Sequence, residues 1–179
     1  MKKMILALAA SAVMAGSAFA GDIGVSMANS DTFLTVLRKG IEKAAGDASQ
    51  PAVIEIADDD VNKQLSQVQN FIAAKVDAII VNAVDTSATA PMTKLANDAG
   101  IPIVYVNRQP IDVDALGPKG AFVASNEVDS GTLETLEACR LLKEAGKTEA
   151  NILIMVGDLA NQAAVQRTKD IHDVNAGTE

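Results

Sequence analysis

The sequence predicts an α/β fold in which a parallel β-sheet is covered by helices on both faces. From residue 22 onward, short apolar runs alternate with segments of helical periodicity. The apolar runs are almost continuous in Val, Ile and Ala, which is typical of parallel strands buried on both faces. With 179 residues, of which 49% are hydrophobic, the chain is large enough to bury a core.

The individual elements follow from local patterns. The clearest helix follows Asp58-Asp59-Asp60, a run that we interpret as a helix cap and a solvated turn. After this run, apolar residues recur at helical spacing at Val61, Leu65, Val68 and Ile72. Other helices are predicted from about Asp31 and over residues 86–99, 128–145 and 163–174, and strands over 23–27, 52–56, 78–82, 101–106, 121–124 and 151–156.

Charge and composition exclude several classes of function. Fifteen Lys and Arg against 23 Asp and Glu give a net charge of −8, which argues against a nucleic-acid partner or an anionic membrane held by charge. The single cysteine, Cys139, cannot form an internal disulfide and is predicted to be a small buried residue on a helix. The only histidine, His172, is predicted to lie on the surface, so we expect neither a catalytic triad nor a metal site. No glycine-rich phosphate loop follows the first strand, and no cofactor is predicted.

The first twenty residues have the pattern of a signal peptide. Met1-Lys2-Lys3 is followed by an apolar stretch over 4–15 and by the small-x-small sequence Ala18-Phe19-Ala20. We expect cleavage after Ala20, with a retained membrane anchor as the alternative. An acidic exported protein without disulfides is predicted to reside in the periplasm.

The candidate ligand site lies at the carboxyl ends of the predicted strands, where parallel sheets bind their ligands. Side-chain amides, a hydroxyl, an aromatic ring and one guanidinium are found there, and they suit a neutral, hydroxyl-rich molecule. The predicted ligand-binding residues are Asn29, Ser30, Phe33, Asn107 and Arg108.

Three of these residues have structural alternatives. Arg108 could instead pair with a surface carboxylate, Asn29 could serve a tight turn, and Phe33 equally suits the core. Tyr105, inside an apolar strand, is predicted to be core or a wall of the site.

Several segments together resemble the ribose-type periplasmic sugar-binding proteins of ABC importers. They are Ile23-Gly24-Val25-Ser26-Met27 with Asn29 and Phe33, the Gln64 to Ile72 helix, Val76 to Asn82, Ala99 to Val104, and Asn107-Arg108. The resemblance implies two similar α/β lobes that are joined by a hinge and close on a sugar. It places a periplasmic-binding-protein-like first lobe at 22–124, the hinge at 125–127 and an incomplete second α/β lobe at 128–179.

The sequence also departs from this family. Asn107 stands where the family has an aspartate beside the arginine, which implies a different pattern of recognised hydroxyls. Ser30 stands where the family commonly has asparagine, and Arg167 matches a family arginine on a later helix. Family members continue well past residue 179, so we expect a truncated or fragmentary receptor with an incomplete second lobe.

The resemblance implies a periplasmic receptor that binds a sugar or polyol and delivers it to the ABC transporter permease in the inner membrane, without a catalytic step. A complete receptor of this kind is expected to be a monomer. The alternatives are a sugar sensor acting with a chemoreceptor and an α/β enzyme of unrecognised type.

Overall fold

Five parallel strands form one sheet in the computed structural model, which describes residues 22–177. The strands are β1 (Ile23–Met27), β2 (Ala52–Ile56), β3 (Ala78–Val81), β4 (Ile103–Val106) and β5 (Gly120–Val123), in the order β2-β1-β3-β4-β5. Every neighbouring pair is parallel. The predicted α/β fold with a parallel sheet is confirmed, and the predicted signal peptide lies outside the described residues.

Five α-helices accompany the sheet in the described part of the chain. They are α1 (Thr32–Asp47), α2 (Val61–Ala74), α3 (Ala90–Ala99), α4 (Glu127–Glu144) and α5 (Gln162–Ala176), and a short 3-10 helix covers Val113–Ala115. Asp60 caps α2 by accepting backbone hydrogen bonds, as predicted for the acidic run. Asp31 caps α1 in the same way, at the helix start that was predicted without a cap. Helix α3 begins later than predicted because residues 86–89 form a loop, and Pro91 lies in the first turn that proline favours.

The core lies on both faces of the sheet. On one face, α2 and α3 pack against β3 and β4 through Phe71, Met92 and Tyr105, which are at most 3% exposed. On the other face, α1 packs against β1 through Leu34 and Met27. This confirms Tyr105 as a core residue.

The predicted sixth strand is wrong. Residues 151–156 form no strand, and the side chains of Leu153 and Met155 are 88% and 89% exposed. An apolar run becomes a strand only when a neighbouring strand accepts and donates its backbone hydrogen bonds. The described residues place no strand beside this run.

Helices α4 and α5 pack closely against each other. Gly131 on α4 permits this approach, because a Cβ there would lie 2.9 Å from the Arg167 Cα and 2.4 Å from the Asp170 carboxylate on α5. Asn126 and Asn161 cap the two helices with their side-chain oxygens. The division into lobes at 22–124 and 128–179 with a hinge at 125–127 stays a prediction.

Two further residues can be placed. Cys139 lies on α4 as predicted, but it is half-buried rather than buried, because α4 packs only part of its surface. His172 is exposed on α5, in agreement with the prediction. No helix within residues 22–177 combines the length and the apolar character that a membrane crossing needs.

Candidate ligand-binding site

The carboxyl ends of the strands lie side by side at one edge of the sheet, and the predicted site residues lie along this edge. Asn29 and Ser30 follow β1, and Asn107 and Arg108 follow β4. Phe33 lies in the first turn of α1, which begins directly after the β1 loop. The topology therefore brings residues that are far apart in sequence to one edge.

Arg108 is anchored by one nitrogen only. Its Nη1 donates to the backbone carbonyls of Ala83 and Val84 at 3.0 and 3.2 Å, in the loop after β3. Among residues 22–177 it forms no ion pair, so the alternative of a surface salt bridge does not describe it. Its Nε and Nη2 make no hydrogen bond within that range. Neither nitrogen is a buried polar atom that lacks a partner. A fixed guanidinium with donors to spare is suited to hold a pair of hydroxyl oxygens.

Asn107 has a left-handed backbone, with φ of +66°. Asparagine tolerates this conformation better than most residues. The Oδ1 of Asn107 accepts a hydrogen bond of 3.2 Å from the Nδ2 of Asn82. This contact fixes the orientation of the Asn107 amide and leaves its Nδ2 as a donor.

Asn82 is the fully buried residue beneath this edge. Its Nδ2 also donates to the Val106 carbonyl at 3.2 Å, and its Oδ1 accepts from the Ala28 N–H at 3.4 Å. Asn82 thereby links the ends of β1, β3 and β4. Asn82 was predicted to lie at the end of a strand, but no role was predicted for it.

Gln64 of α2 adds a second buried contact to the same edge. Its Nε2 donates to the Asn82 carbonyl at 3.0 Å, and its Oε1 accepts from the Val84 N–H at 2.8 Å. Because Val84 also supplies a carbonyl to Arg108, Gln64 holds the loop that anchors the guanidinium. Buried polar groups that are fully hydrogen-bonded give such a site a defined shape.

Asn29 has both ends of its amide occupied. Its Oδ1 accepts from the Asp31 N–H at 3.0 Å, and its Nδ2 donates to Asp59 at 2.8 Å. The structure thus shows the tight-turn role that the sequence left open for Asn29. A ligand contact by Asn29 stays a prediction.

Ser30 and Phe33 form the open part of the edge. Ser30 is exposed, and its carbonyl accepts a hydrogen bond from the Thr35 hydroxyl at 3.2 Å. Phe33 is 63% exposed, so it lies at the surface and not in the core. An exposed ring beside a polar edge is available to stack on an apolar face of a ligand.

A cavity of about 360 Å³ lies between the end of β4 and the α4–α5 pair. Its lining includes Asn107, Met155, Asp158, Asn161 and Arg167. The volume is in the range of small-molecule sites. Of the five predicted ligand residues, the cavity includes Asn107 alone, and the other four lie along the sheet edge outside it.

An ion pair between a half-exposed arginine and a buried glutamate forms one wall of this cavity. The Nε of Arg167 donates to the Oε2 of Glu127 at 2.6 Å, and the Ser125 hydroxyl donates to the Oε1 of Glu127 at 2.8 Å. The Glu127 side chain is 5% exposed, whereas that of Arg167 is 43% exposed. The pair joins the start of α4 to α5, a contact that no local sequence pattern indicated.

The site has the composition of a binding site. Within residues 22–177, no group of three or more His, Cys, Asp and Glu side chains is arranged to hold a metal ion. The side chains along the edge are hydrogen-bond donors and acceptors, which hold a ligand through many weak, directional contacts.

A parallel sheet whose carboxyl edge carries such side chains is typical of proteins that bind small molecules. Residues 23–178 match the sequence model of the periplasmic binding protein domain, and the chain belongs to this family. The family resemblance drawn from the sequence is thereby confirmed.

Two relatives show how much of the family's length this chain covers. The chain is 56% identical over 178 residues to the "Putative rhizopine-binding protein" of Rhizobium meliloti, covering 98% of this chain and 56% of the relative. It is 30% identical over 153 residues to the ribose import binding protein of Bacillus subtilis (strain 168), covering 85% and 48% of the two chains. The chain thus spans about half the length of these relatives.

A solved structure gives the same comparison in three dimensions. The ABC transporter solute-binding protein of Bacillus halodurans C-125 with bound myo-inositol superposes with a TM-score of 0.79 at 36% identity. The match covers 90% of this chain and 54% of that one.

Proposed function

We propose that this protein is a substrate-binding receptor that delivers a sugar or polyol to an ABC importer. Among these ligands we propose a cyclitol first. The observation that carries the proposal is the guanidinium of Arg108, which is fixed on two backbone carbonyls and whose other donors have no partner among residues 22–177. A relative at 56% identity is named for rhizopine binding, and a structural neighbour at 36% identity holds myo-inositol. Both support a polyhydroxylated ligand.

The proposed site consists of Asn29, Ser30, Phe33, Asn107 and Arg108. Arg108 donates to neighbouring hydroxyl oxygens, Asn107 donates through its Nδ2, and Phe33 stacks on the C–H face of the ring. The oriented amide of Asn107 favours this assignment because its position is set before any ligand arrives.

The remaining parts of the proposal concern location and partners. Residues 1–20 direct export, so the receptor acts in the periplasm as a non-enzymatic binding protein. Residues 22–124 form the first lobe, 125–127 the hinge and 128–179 part of a second lobe. Closure of the lobes on the ligand signals occupancy to the permease in the inner membrane, and the complete receptor acts as a monomer.

The test is ligand-dependent thermal stabilisation with myo-inositol, ribose and xylitol as probes. We expect at least one probe to raise the melting temperature, because a ligand that binds only the folded state stabilises it. Arg108→Ala should weaken the affinity for that probe by about 10- to 100-fold, since hydrogen bonds to charged groups contribute roughly 1.5–3 kcal/mol.

Arg140→Ala is the matched control. The substitution removes the same charge, but Arg140 lies at the exposed surface of α4, where it pairs with Glu137 and Glu144. An Arg108→Ala protein that binds the probe as tightly as the Arg140→Ala protein would contradict the assigned site.

A further inference from the structure

Three loops meet at Thr86, which follows β3 and is 2% exposed. Its carbonyl accepts hydrogen bonds from the Ile111 N–H at 3.1 Å and from the Thr89 hydroxyl at 3.3 Å. These two contacts fix Thr86 to the sheet side of the molecule.

The other polar atoms of Thr86 bind the start of α5, which is more than 70 residues further along the chain. Its N–H and its hydroxyl both donate to the Ala160 carbonyl, at 2.9 and 3.1 Å. The hydroxyl oxygen accepts from the Gln162 N–H at 3.1 Å. All three hydrogen-bonding groups of Thr86 are therefore used, and two of them join α5 to the sheet edge.

The Gln162 contact satisfies a group that the helix itself cannot. Gln162 is the first residue of α5, and the first N–H groups of a helix have no partner within it. Asn161 caps the next N–H, of Ala163, so Thr86 acts as a second cap supplied from another part of the fold.

This junction lies beside the cavity. Asn161 and Arg167 of the α5 segment line it together with Asn107, so the position of α5 relative to the end of β4 affects its width. No other backbone hydrogen bond to the 157–162 segment from residues 22–126 is present in the described structure.

We propose that Thr86 is a positioning residue that clasps the N-terminus of α5 to the carboxyl edge of the sheet and holds the cavity at binding width. The Thr86 clasp consists of the hydrogen bonds from Thr86 to Ala160 and Gln162. The proposal rests on the proposed function for its effect on ligand affinity, whereas the clasp itself is a property of the ligand-free chain.

The first measurement is amide hydrogen exchange without ligand, comparing Thr86→Val with Thr86→Ser. Valine keeps the shape but removes the hydroxyl, so the Gln162 N–H loses its acceptor and should exchange about tenfold faster or more. Serine retains the hydroxyl and should restore the protection. The Val25 amide in the core reports global unfolding, so the increase expected at Gln162 in Thr86→Val is the part that exceeds any change at Val25.

Ser87→Ala is the matched control in the same loop. Ser87 is exposed, and its hydroxyl donates to the Asp85 carboxylate of the same loop at 2.6 Å. This variant should leave the exchange rate of Gln162 unchanged.

Gln162→Pro opens the clasp from the other side. Proline is favoured at the first position of a helix, and Asn161 already has the extended backbone that a residue before proline needs. The ring replaces the N–H that Thr86 accepts. The Thr86 N–H should then exchange faster. The effects of Thr86→Val and Gln162→Pro on this exchange rate should be non-additive, because both substitutions remove the same hydrogen bond.

The second measurement is titration with myo-inositol. Thr86→Val should raise Kd about tenfold, whereas Thr86→Ser and Ser87→Ala should keep the wild-type value. Unchanged Gln162 exchange in Thr86→Val would overturn the clasp, and faster exchange with unchanged Kd would overturn its positioning role. A wild-type protein that binds no probe would overturn the proposed function and the positioning role, and the exchange result would still decide whether the clasp exists.

Discussion

The hydroxyl of Tyr105 ties β4 to the start of α3 inside the core. It donates to the Thr89 carbonyl at 3.1 Å and lies 2.8 Å from the Thr93 hydroxyl, which then donates to it. Burial raises the pKa of Tyr105 above its ordinary value, and this effect outweighs the Thr93 hydrogen bond, which lowers the pKa. The folded protein therefore strongly favours the neutral phenol.

This raised pKa predicts a loss of stability at alkaline pH. In the unfolded chain Tyr105 ionises near pH 10, while in the folded chain it stays protonated, so the free energy of unfolding decreases as the pH rises above about 10. Tyr105→Phe should remove this part of the slope. It should also cost about 1–3 kcal/mol at neutral pH, because it removes the two buried hydrogen bonds of the phenol, to the Thr89 carbonyl and with the Thr93 hydroxyl.

Denaturant unfolding between neutral and alkaline pH measures both effects. Tyrosinate absorbance gives an independent reading, because Tyr105 is the only tyrosine in the chain. Parallel curves of stability against pH for the wild type and Tyr105→Phe would contradict the buried, neutral phenol.

The sequence predicted the position of the edge residues of the candidate site but not the buried residues that support them. Arg108 and Asn107 could be placed at the sheet edge because they directly follow an apolar strand. Asn82 and Gln64 could not be recognised as its supports, because their contacts join residues 18 to 54 positions apart. Such contacts depend on the packing of α2 against the sheet, which a local pattern does not reveal.

At the scale of secondary structure, the packing of α4 against α5 depends on Gly131. A Cβ at this position would lie 2.4 Å from Asp170 Oδ2 and 2.9 Å from the backbone of Arg167. The backbone contact determines the expected destabilisation, because moving a whole helix costs more free energy than rotating the end of a side chain.

Gly131→Ala should therefore lower the free energy of unfolding by roughly 1–3 kcal/mol, measured by urea denaturation. Gly40→Ala on the solvent-facing side of α1 is the matched control, since no atom of the described residues lies within 4 Å of the added Cβ. Removing a helical glycine there should stabilise the protein by about 0.5–1 kcal/mol. A Gly131→Ala protein as stable as the Gly40→Ala protein would refute the close approach of the two helices.

The elements themselves were largely predictable. The strands at 23–27 and 52–56 coincide with the prediction because each combines an apolar run with a helix start shortly after it. The strand predicted over 101–106 begins at Ile103, after Pro102, which lacks the N–H of a ladder residue. The strand predicted over 151–156 failed for a non-local reason, since its apolar pattern is sound but no strand lies beside it in residues 22–177.

At the scale of the whole molecule, the covered and uncovered surfaces differ between the two parts of the chain. Around the first four strands, helices pack on both faces, and the core residues there are almost fully buried. Toward the end of the described chain, Leu153, Met155 and Leu159 are 73% to 89% exposed. Exposed apolar side chains of this size are characteristic of contact surfaces.

The polar edge and the apolar surface have different consequences for binding. The edge at Asn107 and Arg108 is supported from below by buried hydrogen bonds, so its shape does not depend on the exposed apolar segment. The cavity walls at Met155 and Arg167 belong to the later part of the chain. We therefore expect the sheet edge to be the primary contact for a polyol.

Mapping amide NMR signals of the protein during titration with myo-inositol tests this central claim most directly. The account predicts saturable shifts that cluster at the carboxyl edge, at Asn29, Asn107 and Arg108, with none at the opposite edge around Gly100 and Lys119. Shifts confined to the opposite edge or to the apolar cavity between α1 and the sheet at Ile41 and Ile80 would contradict it.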